Sequence, residues 1–324
     1  MRLSVVIVTY NSAGCIAECL EALKRALPNS EMIVVDNMSR DATLATATAT
    51  DARVRVVRMS YNAGFGRACN EGVRIAEHDH VLLVNPDVVL VDATTDALES
   101  ALAAPRLGLM APELVVPHAR GHTQAQLVAR RSWLGELLRA AFGPFEPREL
   151  AGRARIARGR EPAWAHAALL VVRRSEFLEV GGFDERFFLY YEDQQLGARY
   201  RDANLPIRGT TAIRATHNRG SSSALATSEL IDRMAWCLLG WLEFVAMHHG
   251  PERARKSWLI VRRAHHAGQS VAALLARGSR TGRMGRKAEQ LASLEHAVRD
   301  IARRAGHSPH EFCPVATRVV ADAS

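Results

Sequence analysis

At 324 residues, 48% hydrophobic and 23% charged, the chain has the makings of one large globular domain with an appendage, and its composition excludes a disordered or fibrous protein. Its net charge of +8 is unevenly placed, since residues 1–250 carry 28 Lys and Arg against 28 Asp and Glu while residues 251–324 carry 14 against 6. A neutral body with a basic tail points that tail toward a polyanion or an anionic membrane surface, or gives it a solvated Arg-rich face.

No secretory signal is expected, since the first residues run straight into a strand. The best apolar stretch, Leu230–His249, is interrupted by Asp232, Arg233 and Glu243, too soon for a bilayer span. The five cysteines lack metal-type spacing, so they are expected to be reduced, and the chain cytoplasmic.

Leu3–Thr9 reads as a buried strand ended by Tyr10-Asn11-Ser12. Ser12 is placed to cap a helix carrying Ile16, Leu20, Leu23 and Leu27 on one face. Met32–Val35 is a second strand, followed by Asp36 and a Thr/Ala-rich helix, and Val54–Arg58 a third. Asn62–Gly72 is a Gly-rich turn opening a helix, and Val81–Val84 is the next strand. Strand–helix alternation at this period predicts a parallel, right-handed α/β sheet.

Gly64-x-Gly66 is a poor dinucleotide fingerprint, because Cys69 stands at its third glycine and the turn follows the third strand, not the first. It still offers helix N–H groups to a phosphate. Asp36 can accept hydrogen bonds from a base or a ribose, or close an Asx-turn. Pro86 ends the strand before it, which delivers Asp87 at the carboxyl end of a central strand, where open α/β sheets bind ligands.

Pro112–Pro162 reads as an irregular insertion with a short helix near Trp133–Leu138, and Ala167–Val172 as a return to strand. Ser175 begins a short capped helix ended by Gly181-Gly182. Phe183–Asp193 places five aromatics ahead of Glu192-Asp193, at the start of a helix that runs to about Ala203; a helix N-terminus favours ionised carboxylates, as ligands or as caps. Ile207–Thr216 gives the last short strands, and His217 follows them as a metal ligand or a satisfied imidazole. From Ser228 onward three amphipathic helices are expected, Leu230–His249, Ala254–Ala276 and Arg286–Arg304, with Met234, Leu238, Trp241 and Val245 in one stripe. That stripe suits docking on the same chain or on a second copy.

Seven ordered blocks carry a family resemblance: Val5–Asn11, Val34–Ser39, Asn62–Gly72, Leu83–Val88, Val180–Glu185, Phe188–Asp193 and His217-x-x-Gly-Ser. Together they resemble the family-two inverting glycosyltransferases of the GT-A fold, in the bacterial rhamnosyltransferase-like branch. The resemblance implies a Rossmann-like, mostly parallel central sheet flanked by helices over residues 1–222, with the insertion on the acceptor side. Residues 223–324 would form a basic α-helical extension.

It further implies that Thr9, Tyr10, Asn11 and Asp36 hold the nucleoside. Asn62, Arg67, Asn70 and Asn85 would line the sugar-diphosphate side. Asp87 and His217 would bind Mn²⁺ or Mg²⁺. Asp193 would be the general base and Glu192 an orienting carboxylate.

The donor expected is a dTDP- or UDP-sugar, with dTDP-L-rhamnose preferred, and the acceptor a lipid-linked or cell-envelope glycan precursor. Two departures bear on the acceptor side: Gln195 where the family commonly has Asp, and Trp164-Ala-His166 where a small Ser-Gly-Ala turn is usual. They leave open a soluble natural-product acceptor. A non-catalytic nucleotide-sugar binder is the third reading. The expected partners also include an anionic membrane face and a second copy, and no nucleic acid.

Overall fold

The computed structural model describes residues 3–93, 95–115, 123–124, 127–129, 136–137, 140, 162–217, 227–278, 283–306 and 312–322. They fall into two compact units, one within Met1–Arg130, Pro147–Asp184 and Asp193–Ala224, the other within Arg131–Glu146, Glu185–Glu192 and Leu225–Ser324. The helical unit is therefore not confined to 223–324, because the aromatic run before Asp193 belongs with it.

The first unit begins β1 (Ser4–Thr9), α1 (Ile16–Ala26), β2 (Glu31–Asp36), α2 (Thr43–Thr50), β3 (Arg55–Arg58), α3 (Phe65–Ile75) and β4 (His80–Val84). It continues with β5 (Val88–Ala93), α4 (Thr95–Leu102), β6 (Leu109–Val115), β7 (Thr123–Gln124), β8 (Leu127–Ala129), β9 (Pro162–Ala165), β10 (Leu169–Arg173), α5 (Arg174–Glu179), α6 (Glu192–Asp202) and β11 (Ile207–His217). The main sheet runs β3-β2-β1-β4-β10-β6-β11-β5, with β7 beside β6, while β8 and β9 pair apart from it. The α/β fold agrees with expectation.

Its first four strands are parallel, as the alternation predicts. The other half is mixed: β10 runs antiparallel to β4 and β6, and β5 antiparallel to β11, while β6 and β11 are parallel. β5 follows β4 after only three residues, too few for the crossover that parallel pairing with β4 needs, and it pairs with β11 at the other end of the strand order.

Both faces of the sheet are covered, which is why its strands read as unbroken apolar runs. Val5 and Ile7 of β1 pack with Ile16, Cys19, Leu20 and Leu23 of α1. Val6 and Val8 face the other way, toward Ala68, Cys69 and Val73 of α3 and the rings of Phe177, Phe183 and Tyr200. Gly72 lets α3 approach this closely, since a Cβ there would lie 2.3 Å from Val6 Cγ1.

Four expectations change. Ser12 does not cap α1, which starts at Ile16 after Cys15; the Ser12 carbonyl instead accepts from the Cys15 and Ile16 N–H groups. Ser175 does not begin α5 either, because the helix starts at Arg174 and the Ser175 hydroxyl bonds Asp79. Pro112 lies inside β6, where it cannot donate, and the β6–β11 register shifts between Thr210 and Arg214, directly after the Thr210–Pro112 pair. Ile207–His217 is one strand bent at that shift, not several short ones. The expected helix near Trp133–Leu138 and residues 218–222 of the last motif fall largely outside the described residues.

Among the described residues from Thr227 onward lie α7 (Thr227–His249), α8 (Pro251–Gly278), α9 (Arg283–Gly306) and α10 (Pro314–Asp322), the last beyond the three helices expected. Leu238, Trp241 and Val245 are buried with Trp258, Val298, Ile301 and Val320, along with Phe187 and Tyr191. Glu243, fully buried in α7, accepts from the Val315 and Ala316 N–H groups at 2.9 Å each, an anion placed at the N-terminus of α10. Glu295 is held by Arg262 at 3.2 Å, His266 at 2.6 Å and Arg299 at 3.1 Å. Among the described residues no helix is long and apolar enough to cross a membrane.

Candidate active site

Parallel strands bring their carboxyl ends to one edge. Thr9 and Asp36 pair at the carboxyl ends of β1 and β2, and β4, on the other side of β1, pairs with it as far as Val84. Asp87 lies in the turn that follows β4, closed by the Val88 N–H donating to the Asn85 carbonyl at 3.1 Å. Antiparallel β10 enters at the same edge, where Ala168 accepts from the Asn85 N–H at 2.9 Å.

Side chains sew the strand-end loops together. The Thr9 hydroxyl donates to Asp36 Oδ1, and the Ser39 N–H donates to Asp36 Oδ2, both at 3.1 Å. The Asn11 N–H reaches Ser39 Oγ, and Asn11 Oδ1 accepts from the Arg40 N–H, each at 2.9 Å. Asn11 and Met38 take positive φ, 49° and 64°, at the points where the two loops meet. Asn37 joins the third loop, accepting from the Ala63 N–H at 2.7 Å and donating to the Gly64 carbonyl at 3.0 Å.

Asp36 is fully buried and closes the Asx-type turn, while each carboxylate oxygen keeps a further lone pair. Tyr10, 49% exposed, stands at the lip of this cradle. Asn62 Oδ1 accepts from the Gly64 N–H at 3.2 Å, and Arg67, in the first turn of α3, hydrogen-bonds the Tyr61 hydroxyl.

His217 ends β11 opposite Val88 of β5, which sets its imidazole against Asp87: Nε2 lies 3.1 Å from Oδ1. The histidine is nearly buried and the carboxylate about one-third exposed. Beneath this turn the Cys19 thiol reaches the Asn85 carbonyl at 3.7 Å; burial, with Cys15 and Asp87 nearby, pushes the thiol far above its ordinary value and keeps it neutral. Asn85 Oδ1 is buried with no hydrogen-bond partner among the described residues, an acceptor that a ligand donor would satisfy.

Asp193 lies in the first turn of α6. Its Oδ1 accepts from the Gln194 N–H at 2.8 Å, and its Oδ2 is 3.5 Å from His166 Nδ1. His166 packs edge-on against Trp164, ring centres 4.5 Å apart. Gln195 and Glu192 are buried on the same helix.

The family model described as Glycosyl transferase family 2 matches residues 4–108, the stretch that builds the cradle. The N-acetylglucosaminyl-diphospho-decaprenol L-rhamnosyltransferase of Mycobacterium tuberculosis is 33% identical over 239 residues, covering 68% of this chain and 77% of that one. This chain belongs to glycosyltransferase family 2.

The low-salt glycan biosynthesis hexosyltransferase Agl10 of Haloferax volcanii is 22% identical over 225 residues, 67% of each chain. In fold, the glycosyltransferase resembles the mannosyltransferase PcManGT of Pyrobaculum calidifontis, solved with GDP-Man and Mn²⁺: TM-score 0.50 at 18% identity, over 91% of this chain and 85% of that one. The architecture is the GT-A fold.

Two of the expected site residues make contacts within the protein. Asn70 Nδ2 donates to the Phe183 carbonyl at 3.0 Å and its Oδ1 accepts from the Phe183 N–H at 2.9 Å, tying α3 to the turn after α5. Trp164 is 9% exposed and packs with Val128 and Ala163, with the His166 ring against it.

Residues that the motifs did not single out tie α6 to its neighbours. Arg199 donates to the Gly181 and Gly182 carbonyls at 2.8 Å each and pairs with Asp184 at 3.0 Å. Arg201 bonds the Ala163 carbonyl. Gly197, one turn after Asp193, lets β9 lie against α6, because a Cβ there would sit 2.5 Å from Trp164 Cβ and 2.8 Å from the Ala163 carbonyl oxygen. Main-chain atoms cannot yield as a side-chain tip can. Gly197→Ala is expected to destabilise the enzyme by about 1–3 kcal/mol and to lower turnover by displacing His166. Thermal melting and activity assays check this against Gly14→Ala, where a Cβ meets nothing within 4 Å and neither quantity should move.

Proposed function

We propose that this glycosyltransferase moves a hexosyl residue from a nucleoside diphosphate to an acceptor hydroxyl with inversion at the anomeric carbon, assisted by a divalent cation. The observation that carries the reading is the Asp87–His217 pair, 3.1 Å apart across 130 residues, on the same sheet edge as the Thr9–Asp36 cradle.

The cradle would take the base, with Asp36 accepting a pyrimidine N3–H on its remaining lone pairs and Tyr10 offering a ring face. Thr9 and Asn11 act by holding the two loops and need not touch the nucleotide. Asn62, Arg67 and Asn85 would face the sugar-diphosphate, and the orphaned Asn85 Oδ1 suits a sugar hydroxyl. A carboxylate and an imidazole are hard and borderline donors that suit Mn²⁺ or Mg²⁺, with diphosphate oxygens completing the shell. Bound there, such an ion neutralises charge on the departing diphosphate.

Asp193 would take the acceptor hydroxyl's proton as that oxygen attacks the anomeric carbon from the face opposite the diphosphate. The carbon–oxygen bond to the diphosphate breaks, its electron pair leaves with the nucleoside diphosphate, and the proton rests on Asp193. A single displacement needs one base and inverts the centre. Glu192, buried at the head of α6, would orient the helix start.

The mycobacterial relative's name supports L-rhamnose as the sugar, with dTDP-L-rhamnose as its donor, and a polyprenyl-diphosphate-linked N-acetylglucosamine as the acceptor class. Such an acceptor sits in a membrane, and the 14 Lys and Arg after residue 250 suit its anionic surface. The test is nucleoside-diphosphate release from dTDP-, UDP- and GDP-sugars, with Mn²⁺, Mg²⁺ or EDTA, and with a polyprenyl-linked acceptor in anionic or neutral vesicles. Cation-dependent release from dTDP-L-rhamnose, greatest with acceptor in anionic vesicles, is expected. No release from any donor would sink the reading.

A further inference from the structure

We propose that His166 is the positioning residue of the transfer step: its Nδ1–H donates to Asp193 Oδ2 and fixes the carboxylate's rotation toward the acceptor hydroxyl. This rests on Asp193 being the base.

Three observations converge on the pair. First, Asp193 Oδ1 already accepts from the Gln194 N–H, so the oxygen left to orient is Oδ2, and His166 Nδ1 stands 3.5 Å from it. Catalytic hydrogen bonds are often long before substrate binds and tighten in the reactive complex. Second, the imidazole rests against a buried neighbour, meeting the Trp164 ring edge-on at 75°. Third, β9, which carries Trp164 and leads directly into His166, is fixed to the helix of Asp193 at two points, the Gly197 contact and the Arg201 bond to Ala163. Glycine one turn past Asp193 lets the strand that leads into His166 lie against that helix.

A base carboxylate that rotates away from the acceptor loses the aligned lone pair, and misplacement by about 1 Å can cost on the order of 10²-fold in rate. An Nδ1–H is a directional donor that opposes such a rotation.

Two substitutions separate the donor from the ring. His166→Phe keeps an aromatic ring against Trp164 and removes the N–H; His166→Asn removes the ring and keeps an N–H at the position of Nδ1. Expected is a fall in kcat on the order of 10²-fold for His166→Phe with the donor KM unchanged, and recovery of most of it in His166→Asn. An active His166→Phe beside an inactive His166→Asn would make the residue packing alone and overturn the inference, as would two fully active variants. Asp193→Asn, assayed alongside, separates the two levels: if it stays active, the base assignment fails and the inference with it; if it is dead while His166→Phe is active, the inference fails alone.

A measurement free of turnover reads the same contact. Nitrogen-15 shifts of the His166 ring in the wild-type chain should report the Nδ1–H tautomer, and the Nε2–H tautomer would overturn the assignment.

Discussion

Asp193→Asn is expected to lower kcat by about 10²–10⁴-fold, the range for loss of a positioned proton acceptor. The corresponding barrier increase is about 3–5 kcal/mol. The substitution is close to isosteric, and the amide oxygen can still accept from the Gln194 N–H as Oδ1 does now, so α6 should keep its first turn. Donor binding should be untouched, because Asp36 ends β2 and Asn85 and Asp87 lie in the turn after β4, all apart from α6. Steady-state kinetics with donor affinity measured separately by calorimetry checks both halves. A loss confined to kcat supports the base; a variant that keeps more than about a tenth of wild-type turnover removes Asp193 from that role.

Much of the donor edge was legible because it is local and periodic. Val5–Thr9, Met32–Asp36 and Val81–Val84 are apolar runs ended by polar residues, and a parallel α/β sheet sets such endings level, so Thr9, Asp36 and Asp87 converge without any long-range knowledge. The antiparallel half was not legible. An apolar run buried on both faces carries no sign of its direction, so β5 and β10 read like their parallel neighbours. Scattered Arg, Gly and Pro set the start of the irregular insertion at Pro112, yet Pro112 lies inside β6, next to the register shift in β11.

Site residues divide the same way. Asp87 and His217 lie 130 residues apart and meet only through the β5–β11 register, which no local pattern encodes. Asn70 sits in the same motif as Asn62 and Arg67, and its amide bonds the main chain of Phe183, a partner 113 residues away. Gly197 gives no signal in a helix except its own poor propensity; a glycine tolerated mid-helix does hint at a close neighbour. Tyr190 and Tyr191, both at φ 69°, could not be foreseen as left-handed from their type. Gly240 of α7 leaves room for that turn, since a Cβ there would meet the Tyr190 carbonyl oxygen at 2.8 Å.

Asp87→Asn should abolish cation-stimulated release of nucleoside diphosphate, with a loss on the order of 10²-fold or more, as for removal of a group that neutralises developing charge. His217→Ala should cost less in kcat and more in cation affinity, about 10- to 100-fold as a rise in the Mn²⁺ concentration for half-maximal activity. These variants decide between two accounts of one 3.1 Å contact. As a structural tie, the pair would link the start of β5 to the end of β11, and Asp87→Asn would still offer an oxygen to the imidazole, leaving fold and activity in place. As a ligand pair, the same substitution removes the negative charge that holds a divalent cation and leaves melting unchanged. The geometry favours the second. A structural tie gains from burial of both partners, yet the carboxylate remains about one-third exposed, open to a ligand that arrives with its own oxygens. An Asp87→Asn variant that melts like wild type and still responds to Mn²⁺ would return the pair to the first account, and with it the cation's place in the reaction.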